Sequence, residues 1–352
     1  MVLRLVMKLT LIGLLLVGLS GCIERDEIAR VADAENIHVT TDGRLFVTGG
    51  KNLYEIHPDG NGYSATPLYD GDCYFRGLTQ KDQWLFTTCQ SGIWWWKSNR
   101  ILAADLSSGP NPAVVELNNA DGETFNKLHQ PHSLVFAPSG KLLVSDYDAV
   151  RDRGIARLTV DFSGTRPAIT SVTPDALFSD FGIHSPNELK VDGRYLYVAD
   201  GNKVRRIRYR KDGSLRTYIL DYQQNPVPNR RVVFEGDLAT VVDGLQPWCG
   251  GVILTQSNSG QISYVSATFN DQSGLYDFNT EYTSPAFGFD HPSGVAIGQT
   301  PLFNGKDLLV AEKGWVRDFY TSHGNQLSRV RLDFNLNDPA TCSVIQDTLA
   351  KR

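Results

Sequence analysis

Apolar and polar positions alternate along this chain in short runs, and turn-forming residues separate the runs. The stretch SPNELKVDGRYLYVAD (residues 185–200) shows the pattern: a strand from Leu189, a tight Asp192-Gly193 turn and a second strand. After the N-terminal segment, no helical period persists along the chain. The pattern predicts an all-β protein.

This strand–turn–strand unit recurs six times. The copies, aligned on the first apolar residue of each inner strand, open at Glu35, Arg76, His132, Asn187, Asp243 and Ser293. The spacing between openers exceeds a single hairpin and suits four strands with their turns. Six such units, none able to bury both faces alone, predict a six-bladed β-propeller. A β-sandwich with a second domain would explain the alternation but not the six registered copies.

The first 22 residues have the features of an export signal. Arg4 and Lys8 precede a short apolar run, and Leu19-Ser20-Gly21-Cys22 resembles a bacterial lipobox, in which the cysteine takes a lipid. We therefore expect a lipoprotein signal peptide over 1–21. A short linker over 22–30 would follow the lipidated Cys22, and the propeller would occupy 31–352.

These features predict a lipid-anchored protein of the bacterial cell envelope. Ile23 after the cysteine resembles lipoproteins that are forwarded to the outer membrane, so we expect that membrane, with the protein facing the periplasm. The membrane is then a partner through the N-terminal lipid. The net charge of −5 and the lack of a long basic cluster argue against nucleic acid as a partner.

Export makes the remaining cysteines candidates for disulfides. Cys73 and Cys89 flank a predicted strand–turn–strand, which would bring them opposite each other, and we expect them to be bonded. Cys249 and Cys342 are the pairing left over, which the sequence does not settle.

The six openers are all polar, and the inner strands of a propeller line its central channel. Glu35, Asn187 and Asp243 are hard oxygen donors, and this set suits a divalent cation, calcium above zinc. His132 is a candidate general base or substrate contact. A water-filled polar channel is the alternative interpretation for all six.

Two of the openers and one nearby residue are candidates for binding the substrate, and a further set of polar residues lies close to the openers in the pattern. Arg76, Ser293 and His291 are candidate substrate contacts, with channel lining as the competing role for Arg76 and Ser293. A second set closes the second strand of each unit and could orient the openers; it includes Asp146, Asp200, Gln256 and Glu312.

The strings DAENIHV, HSPNELKV and VVDGL resemble those of the senescence-marker protein (regucalcin)/gluconolactonase family, with its paraoxonase and strictosidine-synthase-like relatives. The resemblance implies a six-bladed propeller in which Glu35, Asn187 and Asp243 hold a catalytic divalent cation. QPHSLV resembles a paraoxonase-like string that carries a functional histidine, here His132. Blade three opens with His132 where the sugar-lactone enzymes carry an asparagine, so the resemblance supports the metal site better than a sugar-lactone substrate.

The leading functional hypothesis is a calcium-dependent hydrolase of lactones or related esters, with a small-molecule substrate. The cation would stabilise the oxyanion while Asp243 or His132 accepts a proton from water. A non-catalytic propeller that binds a ligand or an envelope protein is the alternative. A quinone-dependent sugar dehydrogenase shares the architecture but needs a wide basic and aromatic cleft, which the openers do not obviously supply.

Overall fold

The computed structural model describes residues 25–69, 71–91, 98–117, 128–146, 154–174, 177–314 and 324–342. These residues form six four-stranded antiparallel sheets. The innermost strand of each sheet packs against the innermost strands of the two neighbouring sheets, and the series closes into a ring. The protein is therefore a six-bladed β-propeller, as the repeat predicts.

The blades follow the chain, and each runs from the channel outwards. Blade one contains β2 (Ala34–Val39), β3 (Leu45–Gly49), β4 (Asn52–Asp59) and β5 (Gly62–Pro67). Blade two contains β6 (Tyr74–Lys81), β7 (Trp84–Ser91), β8 (Ser98–Asp105) and β9 (Val114–Glu116). Blade three contains β10 (Pro131–Phe136), β11 (Leu142–Asp146), β12 (Ile155–Asp161) and β13 (Ala168–Pro174).

The second half of the ring repeats this arrangement. Blade four contains β14 (Pro186–Asp192), β15 (Tyr195–Asp200), β16 (Lys203–Arg208) and β19 (Arg231–Glu235), with a separate hairpin of β17 (Tyr218–Leu220) and β18 (Pro226–Pro228). Blade five contains β20 (Val242–Trp248), β21 (Gly251–Gln256), β22 (Gln261–Asn270) and β23 (Leu275–Thr283). Blade six contains β24 (Pro292–Ile297), β25 (Asp307–Glu312), β26 (Gln326–Arg331) and β1 (Arg25–Arg30). A 3₁₀ turn (Leu106–Ser108) and a short helix α1 (Leu177–Asp180) join strands.

The core is divided into six apolar clusters, one in each cleft between adjacent blades. Leu245 of blade five, for example, packs with Tyr197 of blade four, and Val295 of blade six packs with Trp248 of blade five. A blade of alternating residues has two apolar faces, and each face is buried only by the neighbouring blade. Ring closure thus completes the core and holds the inner strands around the axis.

The segment 25–30, which the sequence assigns to a linker over 22–30, is a strand in the structure. β1 pairs antiparallel with β26, so that Arg25 is opposite Val330 and Arg30 is opposite Gln326. Blade six takes its three inner strands from the C-terminal part of the chain, and the N-terminal strand supplies the fourth. The sequence repeat does not show this because the fourth strand lies far from the other three in the chain.

The described residues contain two disulfides. Cys73, just before β6, is bonded within blade two to Cys89, which pairs with Phe75 in the β6–β7 ladder. Cys249, in the turn between β20 and β21, is bonded to Cys342, which follows β26. The second bond fastens the C-terminal part of the chain to blade five.

Residues 1–24 lie outside the described part of the chain, and with them the predicted signal peptide and Cys22. Over the ranges that are described, none of the helices has both the length and the apolar character that crossing a bilayer requires.

Candidate functional site

All six openers lie where the inner strand departs from regular pairing with the second strand. The register shifts around Glu35, between Ala34 and Asn36, and around Asp243, between Val242 and Leu245. The corresponding shifts flank Arg76, His132, Asn187 and Ser293. Irregularities of this kind re-aim a side chain that regular alternation would direct elsewhere. The same irregularity in six blades therefore gives the openers a shared orientation at one end of the channel.

Hydroxyl groups on the second strands fix three of the openers. The Thr88 hydroxyl accepts a hydrogen bond from the backbone N–H of Gly77 (3.0 Å) and donates one to the carbonyl of His132 (3.0 Å) in the next blade. Thr48 does the same between Asn36 and Arg76, and Ser145 between Ser133 and Asn187. Each hydroxyl thus fixes an opener relative to the preceding blade. In blades one and three the hydroxyl residue, Thr48 or Ser145, is next to the last residue of the second strand, which is a signal that the sequence contains.

Four predicted residues, Glu35, His132, Asn187 and Asp243, meet at the mouth of the channel, and with Arg76 and Lys313 they form the mouth group. The potential ligand atoms of Glu35, His132 and Asp243 all lie within 4.8 Å of one another, and the three side chains are buried. His132 Nε2 is 3.0 Å from Glu35 Oε1. The side-chain amide of Asn187, also buried, contacts Asp243 Oδ1. The group Glu35–His132–Asp243 could hold a metal ion.

Two cationic side chains enter the same group. Arg76 Nη1 lies 3.1 Å from Glu35 Oε1 and 3.1 Å from His132 Nε2, so the predicted contact residue belongs to the site. The ammonium of Lys313, which the sequence analysis did not identify, contacts Glu35 Oε2 and lies 3.7 Å from Asp243 Oδ2. Lys313 directly follows β25, and no other blade has a charged residue at this repeat position in the sequence.

The electrostatics follow from burial and from these contacts. Burial would raise the pKa of Glu35, but Lys313, Arg76 and His132 together hold it well below its ordinary value. Burial would lower the pKa of Lys313, but Asp243 and Glu35 raise it. Glu35 is therefore an anion and Lys313 a cation at neutral pH. Each of the two groups stabilises the charged form of the other.

The fit of a divalent cation depends on this charge balance. The carboxylates of Glu35 and Asp243 and the amide of Asn187 are suitable donors. However, two carboxylates face two cationic side chains, Arg76 and Lys313, and the ammonium lies at the oxygens that an ion would need. With Lys313 in this position, the residues do not fit a resident divalent ion.

The two other predicted contacts differ from each other. His291 adopts a left-handed backbone conformation (φ 46°), its carbonyl accepts the Lys313 N–H (3.2 Å), and burial lowers its pKa. It therefore lies beside the mouth group. Ser293 is buried and donates a hydrogen bond to the carbonyl of Ala34 (2.6 Å). Its hydroxyl joins blade six to blade one, and its candidate role as a substrate contact stays a prediction.

The residues that close the second strands support the openers indirectly. Asp146 Oδ1 accepts the backbone N–H groups of His129 and Gln130, just before β10. Asp200 Oδ1 does the same for His184 and Ser185, just before β14. These carboxylates hold the segments that lead into the inner strands.

Comparison with known proteins identifies solved structures that have a similar fold. No family model and no curated protein matches the chain. Among solved structures, a luciferin-regenerating enzyme is similar with a TM-score of 0.54 at 14% identity, over 89% of this chain and 98% of the other. An oxidoreductase of Thermus thermophilus, described as a glucose dehydrogenase, has a TM-score of 0.54 at 12% identity, over 87% and 99%. The PQQ-bound aldose sugar dehydrogenase of Streptomyces coelicolor has a TM-score of 0.51 at 12% identity, over 88% and 98%. At these identities the comparisons show a shared propeller fold.

Proposed function

We propose that the protein is a hydrolase of lactones or related esters and that its active centre is the mouth group. The observation that carries the proposal is the buried convergence of Glu35, His132, Asn187 and Asp243, joined by Arg76, at one end of the channel. Burying ionisable groups is costly unless their charges are compensated, and clusters of this kind are concentrated at functional sites.

The residues can be given roles in the hydrolysis of an ester bond. Asp243 or His132 accepts the proton of the attacking water, as a general base. Glu35 is a poor base because its pKa is held low; it holds the imidazole of His132, 3.0 Å away. Arg76 and His291 contact the leaving group or a carboxylate of the substrate. A preorganised hydrogen-bond donor or positive charge stabilises the carbonyl oxygen as it becomes an oxyanion.

A calcium ion is the oxyanion-binding group that the sequence pattern suggests. The three potential ligands within 4.8 Å of one another favour it. Such an ion would polarise the carbonyl of the substrate. The contacts of Lys313 with the same carboxylates oppose it, so no step of the proposal depends on the ion.

We further propose that the protein is anchored in the cell envelope through Cys22, at the outer membrane. The sequence Leu19-Ser20-Gly21-Cys22 supports this. Membrane fractionation should find the protein with the outer membrane, and Cys22→Ala should shift it to other fractions. Recovery of unmodified wild-type protein from the soluble fraction would contradict the proposal.

Turnover of a panel of lactones and aryl esters tests the proposed hydrolase. Of Asp243→Asn and His132→Ala, the variant that removes the general base should lower kcat/KM by about 10²-fold or more. Asp277→Asn and His57→Ala are matched controls away from the mouth group: Asp277 is exposed, and His57 is on the third strand of blade one. They should retain activity. Absence of turnover across the panel by folded protein would favour the non-catalytic alternative.

A further inference from the structure

The mouth group contains a cation that belongs to the chain itself. Lys313 is the first residue after β25, and its backbone N–H is fixed to the carbonyl of His291 (3.2 Å). From there its side chain reaches the axis, where the ammonium contacts Glu35 and lies 3.7 Å from Asp243. About three quarters of the side chain is shielded from solvent (23% exposed). Lys313 therefore bridges the carboxylates of blades one and five.

The charges of the group are balanced by this arrangement. Glu35 and Asp243 contribute two negative charges, and Arg76 and Lys313 contribute two positive charges. A divalent ion between the carboxylates would face the Lys313 ammonium across the same oxygen atoms. Like charges in a buried site repel strongly because little water screens them.

Lys313 also has enough N–H groups to donate a hydrogen bond to the oxyanion of the proposed reaction. An ammonium group is a compact charge with three N–H donors. Glu35 and Asp243 can take two of these, which leaves one for a carbonyl oxygen of a ligand. The donor is tethered to β25, so it does not depend on the concentration of a free ion.

We propose that the Lys313 ammonium takes the place of the divalent cation in this protein. It neutralises Glu35 and Asp243, excludes calcium from the mouth and donates to the developing oxyanion. The last role rests on the proposed hydrolase function, whereas the exclusion of calcium does not.

Calcium binding to the purified, chelator-treated protein tests the exclusion without any activity assay. Wild type should show no calorimetric binding up to about 1 mM Ca²⁺, the weak end of protein calcium sites. Lys313→Ala should bind at least about tenfold more tightly than that limit and should gain thermal stability with Ca²⁺. Lys203→Ala, which removes a lysine paired with Glu235 on an outer part of blade four, should behave like wild type.

Two results would overturn the inference. One is calcium binding by wild type that Glu35→Gln abolishes. The other is a folded Lys313→Ala variant whose calcium affinity is no higher than that of wild type. Such a result would show that Lys313 does not exclude the ion. If the variant does not fold, calcium binding by wild type and its loss in Glu35→Gln still test the inference.

Activity separates this inference from the proposed function. If a lactone is turned over, the rate should be unchanged by a chelator, and Lys313→Ala should lower kcat by about 10²-fold or more, the size found for loss of an oxyanion donor. If nothing is turned over but the binding results are as expected, the hydrolase proposal fails and Lys313 remains the resident cation. Activity that a chelator abolishes and calcium restores in wild type would overturn the inference alone.

Discussion

The side-chain amide of Asn36 in blade one donates a 2.6 Å hydrogen bond to a carboxylate oxygen of Glu188 in blade four. The two residues directly follow the openers Glu35 and Asn187, so the bond joins opposite sides of the ring beside the mouth group. Lys190 lies 2.9 Å from the other carboxylate oxygen. Burial nevertheless dominates and raises the pKa of Glu188, against the opposing effects of Lys190, His132 and Asn36. The channel therefore contains titratable groups beyond the proposed active centre.

Glu188→Gln should change how stability depends on pH. The folded protein holds a proton on Glu188 at pH values where the unfolded chain has released it, so stability falls as pH rises through the raised pKa. We expect the variant to lose this decline and to be at least as stable as wild type at neutral pH. Urea unfolding between pH 4.5 and 8 measures the effect. Glu235→Gln, at a more exposed carboxylate, is the control, and an undiminished decline in Glu188→Gln would contradict the prediction.

His38→Gln should remove a pH dependence of the opposite sign. Burial and the charge of Lys190 lower the pKa of His38 to about 4. The unfolded chain takes up a proton at higher pH than the folded protein does, so stability is lost as pH falls from about 6.5 to about 4. The loss removed by the substitution is at most about 3 kcal/mol. Unfolding at pH 4.5 and 7 tests this, with His57→Gln as the comparison; equal pH effects in wild type and His38→Gln would refute it.

Thr88→Val should destabilise the ring between blades two and three. The substitution keeps the shape of the side chain but leaves the Gly77 N–H and the His132 carbonyl without their shared partner. Unmatched buried groups of this kind cost about 1–3 kcal/mol. Chemical unfolding measures the change in the free energy of unfolding. Thr87→Val should cost less, since the Thr87 hydroxyl makes a longer bond of 3.3 Å to its neighbour's carbonyl. The reverse order would argue against a role of the Thr88 hydroxyl in joining the two blades.

Arg25→Ala should weaken the closure of blade six. Arg25 Nη1 lies 3.0 Å from Glu312, whose side chain is fully buried, and also donates to the carbonyl of Gly288 (2.8 Å). Because Arg25 is partly exposed, we expect a loss of only about 1 kcal/mol, seen as a lower Tm. Arg30→Ala, which removes an exposed pair with Glu27 on the same strand, should leave Tm nearly unchanged. Equal effects of the two substitutions would contradict a specific role for Arg25.

The repeat explains how much of the site could be predicted from the sequence. Glu35, His132, Asn187 and Asp243 share one repeat position, and the same irregularity in each blade turns that position towards the axis. Residues at equivalent positions of a closed ring must meet at one level. Ser293 shares the position, but its hydroxyl bonds to Ala34 instead.

Two features could not be predicted in this way. β1 pairs with β26 across nearly the whole length of the chain, whereas the sequence repeat describes strands that are close together in the chain. Lys313 lies on a loop, and the path of a long side chain from a loop depends on what surrounds it. Its contact with Glu35 follows from the attraction of carboxylates supplied by other blades.

The number of blades and the chemical types of the six openers can be read from the amino-acid sequence, because alternation and repeat spacing are local properties. The closure of the ring and the charge of the mouth depend instead on the folded chain. Closure joins segments from the two ends of the chain, and the charge at the axis is a sum over side chains from blades one, two, five and six. The positive charge of Lys313 is part of that sum. With Arg76 it balances the negative charges of Glu35 and Asp243, two carboxylates that would otherwise suit a metal ion.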